Sequence, residues 1–300
     1  GELGACMSKA MNDKKLLKSV LLAPKGKFRG MDESDFVWNG GNIYPIEVDG
    51  NEEDCHNLIR KIFENKDLVS KRNITVANTA NIGRLLPQAF FYTFAFSRLK
   101  HLTDGEIFYS FSAGNYGNLV SGLYGWLLSL PVNGFIVPST PNLTLDLKGK
   151  CMVLDSIIPI EKRTSIDPAD PSNIERLEQI FKANSLVLKS FVFPAKVSDK
   201  DADDACKELF KKYGIYADNE TCRAYAASKI RSDITGGGDG VVVLVARNSP
   251  CLDSQFVAHN LGESPVMTDN VKYAFTPVSL DRPALNKDDI QALESILNSL

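Results

Sequence analysis

Gly114 and Gly117 bracket Asn115 and Tyr116 in the stretch Phe111-Ser112-Ala113-Gly114-Asn115-Tyr116-Gly117-Asn118. A strand pattern, Ile107 to Phe111, runs into it. An apolar helix pattern with Leu119, Leu123, Trp126, Leu127 and Leu130 runs out of it, and Pro131 stops that helix. Glycines here let the backbone turn tightly and bring its N–H groups close to a ligand. A helix start adds amides without intrahelical acceptors and the positive end of the helix dipole. Strand, glycine loop and helix start together make an anion site, and the usual anion is a phosphate. The same residues also make an ordinary strand-to-helix turn, and from this stretch alone both readings stand.

Other chemistry is sparse. The six cysteines (Cys6, Cys55, Cys151, Cys206, Cys222, Cys251) form no C-x-x-C pair, and there are three histidines. That spacing argues against a structural zinc site or a disulfide framework; small core residues in a reducing cytoplasm are the expectation, with no metal. Asp199, Asp201, Asp203 and Asp204 follow Ser198 with lysines late in the same segment, the charge order of a capped, solvated helix rather than a cation site. A net charge of −3 argues against nucleic acid or an anionic membrane as the main partner. No apolar run is long enough to span a bilayer, and Gly1-Glu2-Leu3-Gly4 carries no signal-peptide pattern.

The elements that must position the loop follow from periodicity. Strands are expected at Ser19–Ala23, Asn42–Val48, Ile74–Ala77, Ile107–Phe111, Phe135–Val137, Lys189–Phe193 and Val241–Ala246. Pro45 places the second at an edge or starts it late. Helices are expected at Gly4–Asn12, Glu52–Phe63, Leu85–Leu99, Ile174–Phe181, Ser198–Tyr213, Thr221–Ile230 and Asp288–Leu300, with Thr164–Asn173 a loop and Gly236–Gly240 a flexible turn. Leu85–Leu99 is apolar nearly all round, which predicts a central, buried helix. Strands alternating with helices predict an α/β fold with parallel sheets and right-handed crossovers. The 300 residues suit one large domain or two smaller ones.

Several colinear stretches resemble the threonine synthases, pyridoxal-phosphate enzymes of the tryptophan-synthase-β-like fold. Ala113 to Asn118 resembles the family's T-G-N-F-G-N phosphate loop. Asn78-Thr79-Ala80-Asn81-Ile82-Gly83-Arg84-Leu85-Leu86-Pro87-Gln88 resembles its A-N-S-I-N-x-x-R-L-x-P-Q segment. Pro171 to Arg176 matches P-S-N-x-E-R, Gly50 to Cys55 resembles G-x-F-D-D-C, and Gly1 to Gly4 sits where the family has G-D-T-G. The resemblance implies pyridoxal 5'-phosphate as cofactor, its phosphate held by Gly114, Asn115, Tyr116, Gly117 and Asn118. It implies O-phosphohomoserine, a phosphorylated amino acid, as substrate, bound by Asn78, Thr79, Asn81 and Arg84. The Arg84 fork suits such an oxyanion, with a surface ion pair as the plain alternative. The implied reaction is loss of the γ-phosphate and hydration to threonine, with the cofactor as electron sink. A monomer or homodimer is expected.

The pattern also departs from the family. The Schiff-base lysine belongs to an A-F-K-D-type segment upstream of G-D-T-G, and no lysine from Gly1 onward has that context; Lys211 in L-F-K-K falls on a helix end. D-P-H-T appears as Asp218-Asn219-Glu220-Thr221, and T-A-H-P-A-K-F as Val245-Ala246-Arg247-Asn248-Ser249-Pro250-Cys251. Val245 replaces a threonine that serves the cofactor ring in the family, and valine makes no such hydrogen bond. The stretch Phe28–Phe36 keeps its pattern poorly. The expectation is a remnant of the smaller, cofactor-side domain over 1–75 and the larger domain over 76–300. The chain as given is expected to be inactive. Open alternatives are a diverged, non-catalytic binder of phosphate or a phosphorylated amino acid, and a structural or assembly fragment with no ligand.

Overall fold

The structure, a computed structural model, describes residues 10–11, 14, 16–153, 166–183, 185–234 and 240–300. The expected helix at Gly4–Asn12, apart from residues 10 and 11, and the turn through 235–239 lie outside the described residues. Contacts divide the chain into two units. One is Gly1–Asn81 with Asp167–Pro171 and Met267–Leu300, the other Ile82–Ile166 with Ser172–Val266. The expected boundary at 75/76 therefore falls at 81/82, and the last 34 residues leave the larger unit. The reason is pairing that no local pattern announces. The two-residue strand Leu285–Asn286 joins the first sheet, and Leu293 of the C-terminal helix is buried with Leu58 and Leu68.

In the first unit β1 (Ser19–Pro24) and β2 (Ile43–Asp49) run parallel, from Ser19 opposite Ile43 to Pro24 opposite Val48. The strand Leu285–Asn286 pairs only with Val48 and Asp49, so β2 is the middle strand. Pro45 lies inside β2, opposite Leu21 on one side and beyond the end of the short strand on the other. Its missing N–H therefore costs no ladder bond there. Asn51 and Asp54 form a capping box at the start of α1 (Glu52–Glu64), which buries Cys55, Leu58 and Ile62. The helix α2 (Lys66–Arg72) ends at Asn73, left-handed with φ 52°, and Ile74 N–H bonds back to Val69 O at 3.0 Å. Ile74–Ala77 then forms no strand, contrary to its pattern: no ladder pairs with it.

The second unit is built on a four-stranded parallel sheet. In chain order its elements are α3 (Ala89–Leu99), β3 (Ile107–Ser110), α4 (Gly117–Leu127), β4 (Gly134–Pro138) and an antiparallel pair, β5 (Leu143–Leu145) with β6 (Cys151–Val153). Then come α5 (Ile174–Ala183), β7 (Val192–Ala195), α6 (Asp199–Tyr213), α7 (Asn219–Ile230) and β8 (Val241–Leu244). The sheet order β7-β4-β3-β8 puts β3 and β4 in the middle, and every residue of both is buried. Tyr109, Phe111, Leu119, Leu123 and Phe135 are fully buried in one cluster, each contributing about 1.5–3 kcal/mol by leaving water. Gly122 lets α4 sit close to the sheet, since a Cβ there would lie 2.6 Å from the Phe135 ring.

Three readings of this unit are corrected. Leu85–Leu99 is neither one helix nor buried all round: two 3-10 turns precede α3, and Phe90, Phe91 and Phe94 are exposed. Tyr92, Ala95, Phe96 and Leu99 meet the core and Ala89 is buried, because that side of α3 packs against α4 and, through Tyr92, against Tyr109 and Phe135 of the sheet. The strand expected from Lys189 begins at Val192. The strand at Val241 is half-buried, because β8 is an edge strand. The helix after Ser198 is as expected: Ser198 and Asp201 form a capping box and Gly214 closes the helix left-handed, with φ 66°.

Candidate functional site

At the C-terminal end of β3 the chain passes from the sheet into α4 through Phe111–Tyr116. Gly114 and Tyr116 are both left-handed, with φ 48° and 62°. Left-handed residues two apart turn neighbouring N–H groups toward one side, as in an anion-holding nest. Glycine adopts this conformation freely, but tyrosine does so at a cost of about 1–3 kcal/mol. Burial of the Tyr116 ring holds it there, with its hydroxyl 2.7 Å from Thr140 Oγ1.

The loop's carbonyls are held from behind. Ala113 O accepts from Tyr116 N–H at 2.8 Å, and Tyr116 O from Val120 N–H at 2.9 Å. Asn115 O accepts from Asn173 Nδ2 at 3.3 Å, and Asn118 O from the Tyr92 hydroxyl at 2.8 Å. Gly117 N–H is taken by Asn115 Oδ1 at 3.2 Å, and the helix itself provides no acceptor for Asn118 and Leu119 N–H. Gly114 and Asn115 are exposed, whereas Ser112, Ala113, Tyr116 and Gly117 are buried. The loop is thus tied back through its carbonyls and exposes its tip at Gly114 and Asn115.

The supports are residues that the sequence does not advertise. Asn173 is fully buried and left-handed with φ 57°, and its Oδ1 accepts from Arg176 Nη1 at 2.5 Å. The stretch that matches P-S-N-x-E-R therefore touches the stretch that matches the phosphate loop, and colinearity was its only signal. Tyr92 and Tyr109 are stacked edge-on with centroids 5.1 Å apart, and Tyr109 donates to Tyr92 O at 2.7 Å. Burial pushes the Tyr109 phenol up to about 12 and the Tyr92 phenol higher still, so Tyr92 stays protonated as the donor to Asn118 O.

A second wall comes from α7 and the segment after β8. Asp218 and Thr221 are buried, and the Thr221 hydroxyl donates to the Asp218 carboxylate. Asn248 Nδ2 reaches the other Asp218 oxygen at 3.4 Å, and Arg247 N–H donates to Thr221 Oγ1 at 3.1 Å. Val245 N–H continues the ladder onto Ser110 O at 2.9 Å, and its side chain packs against the core. The Arg247 side chain crosses to the loop: Nη1 lies 3.4 Å from Ser112 Oγ and 3.3 Å from Glu220 Oε2.

The residues expected to contact substrate divide between the units. Arg84 is in the second, half-buried one residue before Leu85, whose carbonyl accepts from Ser121 Oγ of α4 at 2.9 Å. Asn78, Thr79 and Asn81 are in the first. The amide of Asn78 donates to Pro168 O at 2.7 Å while its Oδ1 accepts from Ala80 N–H. The amide of Asn81 donates to Thr75 Oγ1 and Val76 O, each at 3.2 Å. Both asparagines therefore help shape their own loop.

Among the described residues no group of His, Cys, Asp and Glu could hold a metal ion, and no helix is long and apolar enough to cross a membrane. Cys55, Cys151, Cys206, Cys222 and Cys251 are free and buried, the core role expected of them.

No family model matches the chain. A threonine synthase of Buchnera aphidicola subsp. Schizaphis graminum is 32% identical over 214 residues, 70% of this chain and 49% of that protein. The threonine synthase of Escherichia coli strain K12 is 29% identical over 269 residues, 88% of this chain and 60% of that protein. The chain thus spans only about half to three-fifths of the length of these relatives. The crystal structure of the Escherichia coli threonine synthase superposes with a TM-score of 0.67 at 25% identity, covering 99% of this chain and 68% of that one. A threonine synthase from Brucella melitensis with pyridoxal phosphate bound gives 0.70 at 17% identity, covering 100% and 68%.

Proposed function

Because the chain belongs to the threonine synthase family, we propose that its Gly114–Asn118 loop seats the phosphate of pyridoxal phosphate. The protein it represents is, in this reading, a lyase that converts O-phosphohomoserine and water to threonine and phosphate. The observation that carries the proposal is the tied-back loop: the carbonyls of Ala113, Asn115, Tyr116 and Asn118 are all engaged, and Gly114 and Asn115 are exposed just before the start of α4. That arrangement fits a phosphate dianion, which needs donors in fixed positions and tolerates no nearby carbonyl oxygens. The fit at the ring end is weaker: Val245 follows β8 as a packed apolar side chain, where the resemblance implies a hydroxyl.

When bound, the cofactor supplies the electron sink for removal of a substrate proton. The chain's own part is placement. The Gly114 and Asn118 amides would fix the phosphate, joined by Gly117 N–H where the phosphate displaces Asn115 Oδ1 from it, with Asn115 and Tyr116 shaping the turn. Arg84 would take the substrate phosphate as a bidentate fork. No lysine in the 300 residues has the family's A-F-K-D context, so the chain as given binds without turnover. Val245 and the altered 218–221 and 245–251 segments favour the second reading, a diverged binder of phosphorylated ligands.

A titration of the purified chain with inorganic phosphate, followed at the amide resonances of Gly114, Gly117 and Asn118, tests the proposal. Shifts confined to the loop are expected, and no shift at any of the three overturns the phosphate-seat reading. Phosphate release from O-phosphohomoserine in the presence of pyridoxal phosphate is expected to equal the protein-free control. Release above that control removes the claim of binding without turnover.

A further inference from the structure

We propose that Arg247 closes the anion site over the glycine loop, giving up Glu220 to grip the phosphate of a bound ligand. The inference rests on the phosphate-seat reading above and names a residue which that reading does not use. The resemblance puts a histidine at this position, so the arginine is a feature of this chain.

Three observations support it. First, the guanidinium lies against the loop itself: a Cβ on Gly114 would meet Arg247 Nη1 at 3.1 Å, Cζ at 3.2 Å and Nη2 at 3.3 Å. The charge therefore sits against the residue whose backbone turns the site outward. Second, Arg247 is anchored through its backbone, because its N–H donates to the buried Thr221 hydroxyl. The side chain can change partners without disturbing the fold. Third, its present partners hold it loosely. Both contacts, to Ser112 Oγ and Glu220 Oε2, use Nη1 and are 3.3–3.4 Å long. Among the described residues Nε and Nη2 make no hydrogen bond. The Arg247 and Glu220 side chains are each 41% exposed, and an ion pair that open contributes little. A phosphate offers the fork two oxygens and a larger charge than one carboxylate. Glu220 then acts as the resting partner, keeping the guanidinium at the loop until an anion displaces the carboxylate.

Calorimetric titration of the full chain with inorganic phosphate, and separately with pyridoxal phosphate, tests this at fixed ionic strength. Arg247→Ala is expected to weaken binding of both about 10- to 100-fold, the loss expected for a hydrogen bond to a charged group. Arg247→Lys keeps the charge without the fork and is expected to recover part of that loss. Glu220→Gln removes the competitor and is expected to tighten phosphate binding about two- to fivefold. An unchanged thermal midpoint for Arg247→Ala separates lost contact from lost fold. Should Arg247→Ala not fold, weaker binding by Arg247→Lys with tighter binding by Glu220→Gln supports the proposal, and unchanged binding in both overturns it. Binding by Arg247→Ala within twofold of the parent overturns it. So does tighter binding, which would make Arg247 a plug rather than a clamp; in either case the phosphate seat stands. A parent chain that binds neither probe overturns both this inference and the phosphate seat.

Discussion

Two walls of one site have been treated differently. The glycine loop keeps Gly114, Asn115, Gly117 and Asn118 of the family pattern, and most positions of 218–221 and 245–251 have changed. If the loop seats a phosphate as proposed, that task falls to backbone amides, and the supports are hydrogen bonds that fix the loop's shape: Asn173 to Asn115 O, Tyr92 to Asn118 O, Thr140 to the Tyr116 hydroxyl. Changing any of them moves the donors. In the second wall Asp218 and Thr221 match the family pattern and are buried and bonded to each other, and Ala246 matches it at an exposed position. Of the residues that differ, Glu220 and Arg247 are partly exposed and Val245 packs against the core. A motif that looks decayed as a string therefore keeps the buried Asp218–Thr221 bond that joins α7 to the segment after β8, and carries two of its changes, Glu220 and Arg247, at partly exposed side chains beside the glycine loop.

The sharpest way to break that comparison is Asn173→Ala. It removes the donor to Asn115 O and the acceptor of Arg176 at a fully buried position, and asks alanine to hold φ 57°. An unsatisfied buried group costs about 1–3 kcal/mol and the left-handed backbone about 1–2 kcal/mol more. We expect about 2–5 kcal/mol lost in urea unfolding, together with loss of phosphate binding. Asn173→Gly should recover the backbone share and leave the binding defect. If Asn173→Ala binds phosphate normally, the loop is not held from behind.

On the other wall Thr221→Val deletes the donor to the buried Asp218 and the acceptor for Arg247 N–H without changing size. About 1–3 kcal/mol of stability should go, since a buried carboxylate loses one of its donors. The effect on phosphate binding should be smaller than that of Asn173→Ala, because the loop's own supports remain. The opposite order, with phosphate binding lost and stability kept, would make Thr221 part of the ligand site and dissolve the distinction between the walls.

How much of this was legible in the sequence depends on the range of the interaction. The anion loop was readable because strand, glycines and helix start are contiguous. The cap at Ser198 and the parallel α/β class were readable for the same reason. The exposure of Phe90, Phe91 and Phe94 was not, since apolarity reports what a helix could bury and not what lies beside it. Nor was the strand Leu285–Asn286, whose pairing with Val48 and Asp49 crosses more than 200 residues. Asn173 and Arg247 were missed as site residues for this reason too. Each acts through partners far away in sequence, 58 residues in one case and 135 in the other.

The smallest expected effect is also the most discriminating. Val245 packs against the core from the residue after β8, with its N–H on Ser110 O. Val245→Thr keeps the β-branched shape and the ladder bond, and adds one hydroxyl where the resemblance places one. Half-burial there limits the folding cost to about 1 kcal/mol or less. If the chain is a binder whose ring-side contact has been lost, the hydroxyl should restore one neutral hydrogen bond to the cofactor ring. That is about 0.5–1.5 kcal/mol, or roughly two- to tenfold tighter binding of pyridoxal phosphate. Inorganic phosphate has no ring, and its affinity should not move. The ratio of the two affinities, parent against variant, is the measurement. A rise in that ratio places the ring beside residue 245 and the phosphate on the loop at once. An unchanged ratio would mean that the loop holds phosphate alone, and that the second wall has been turned away from the cofactor.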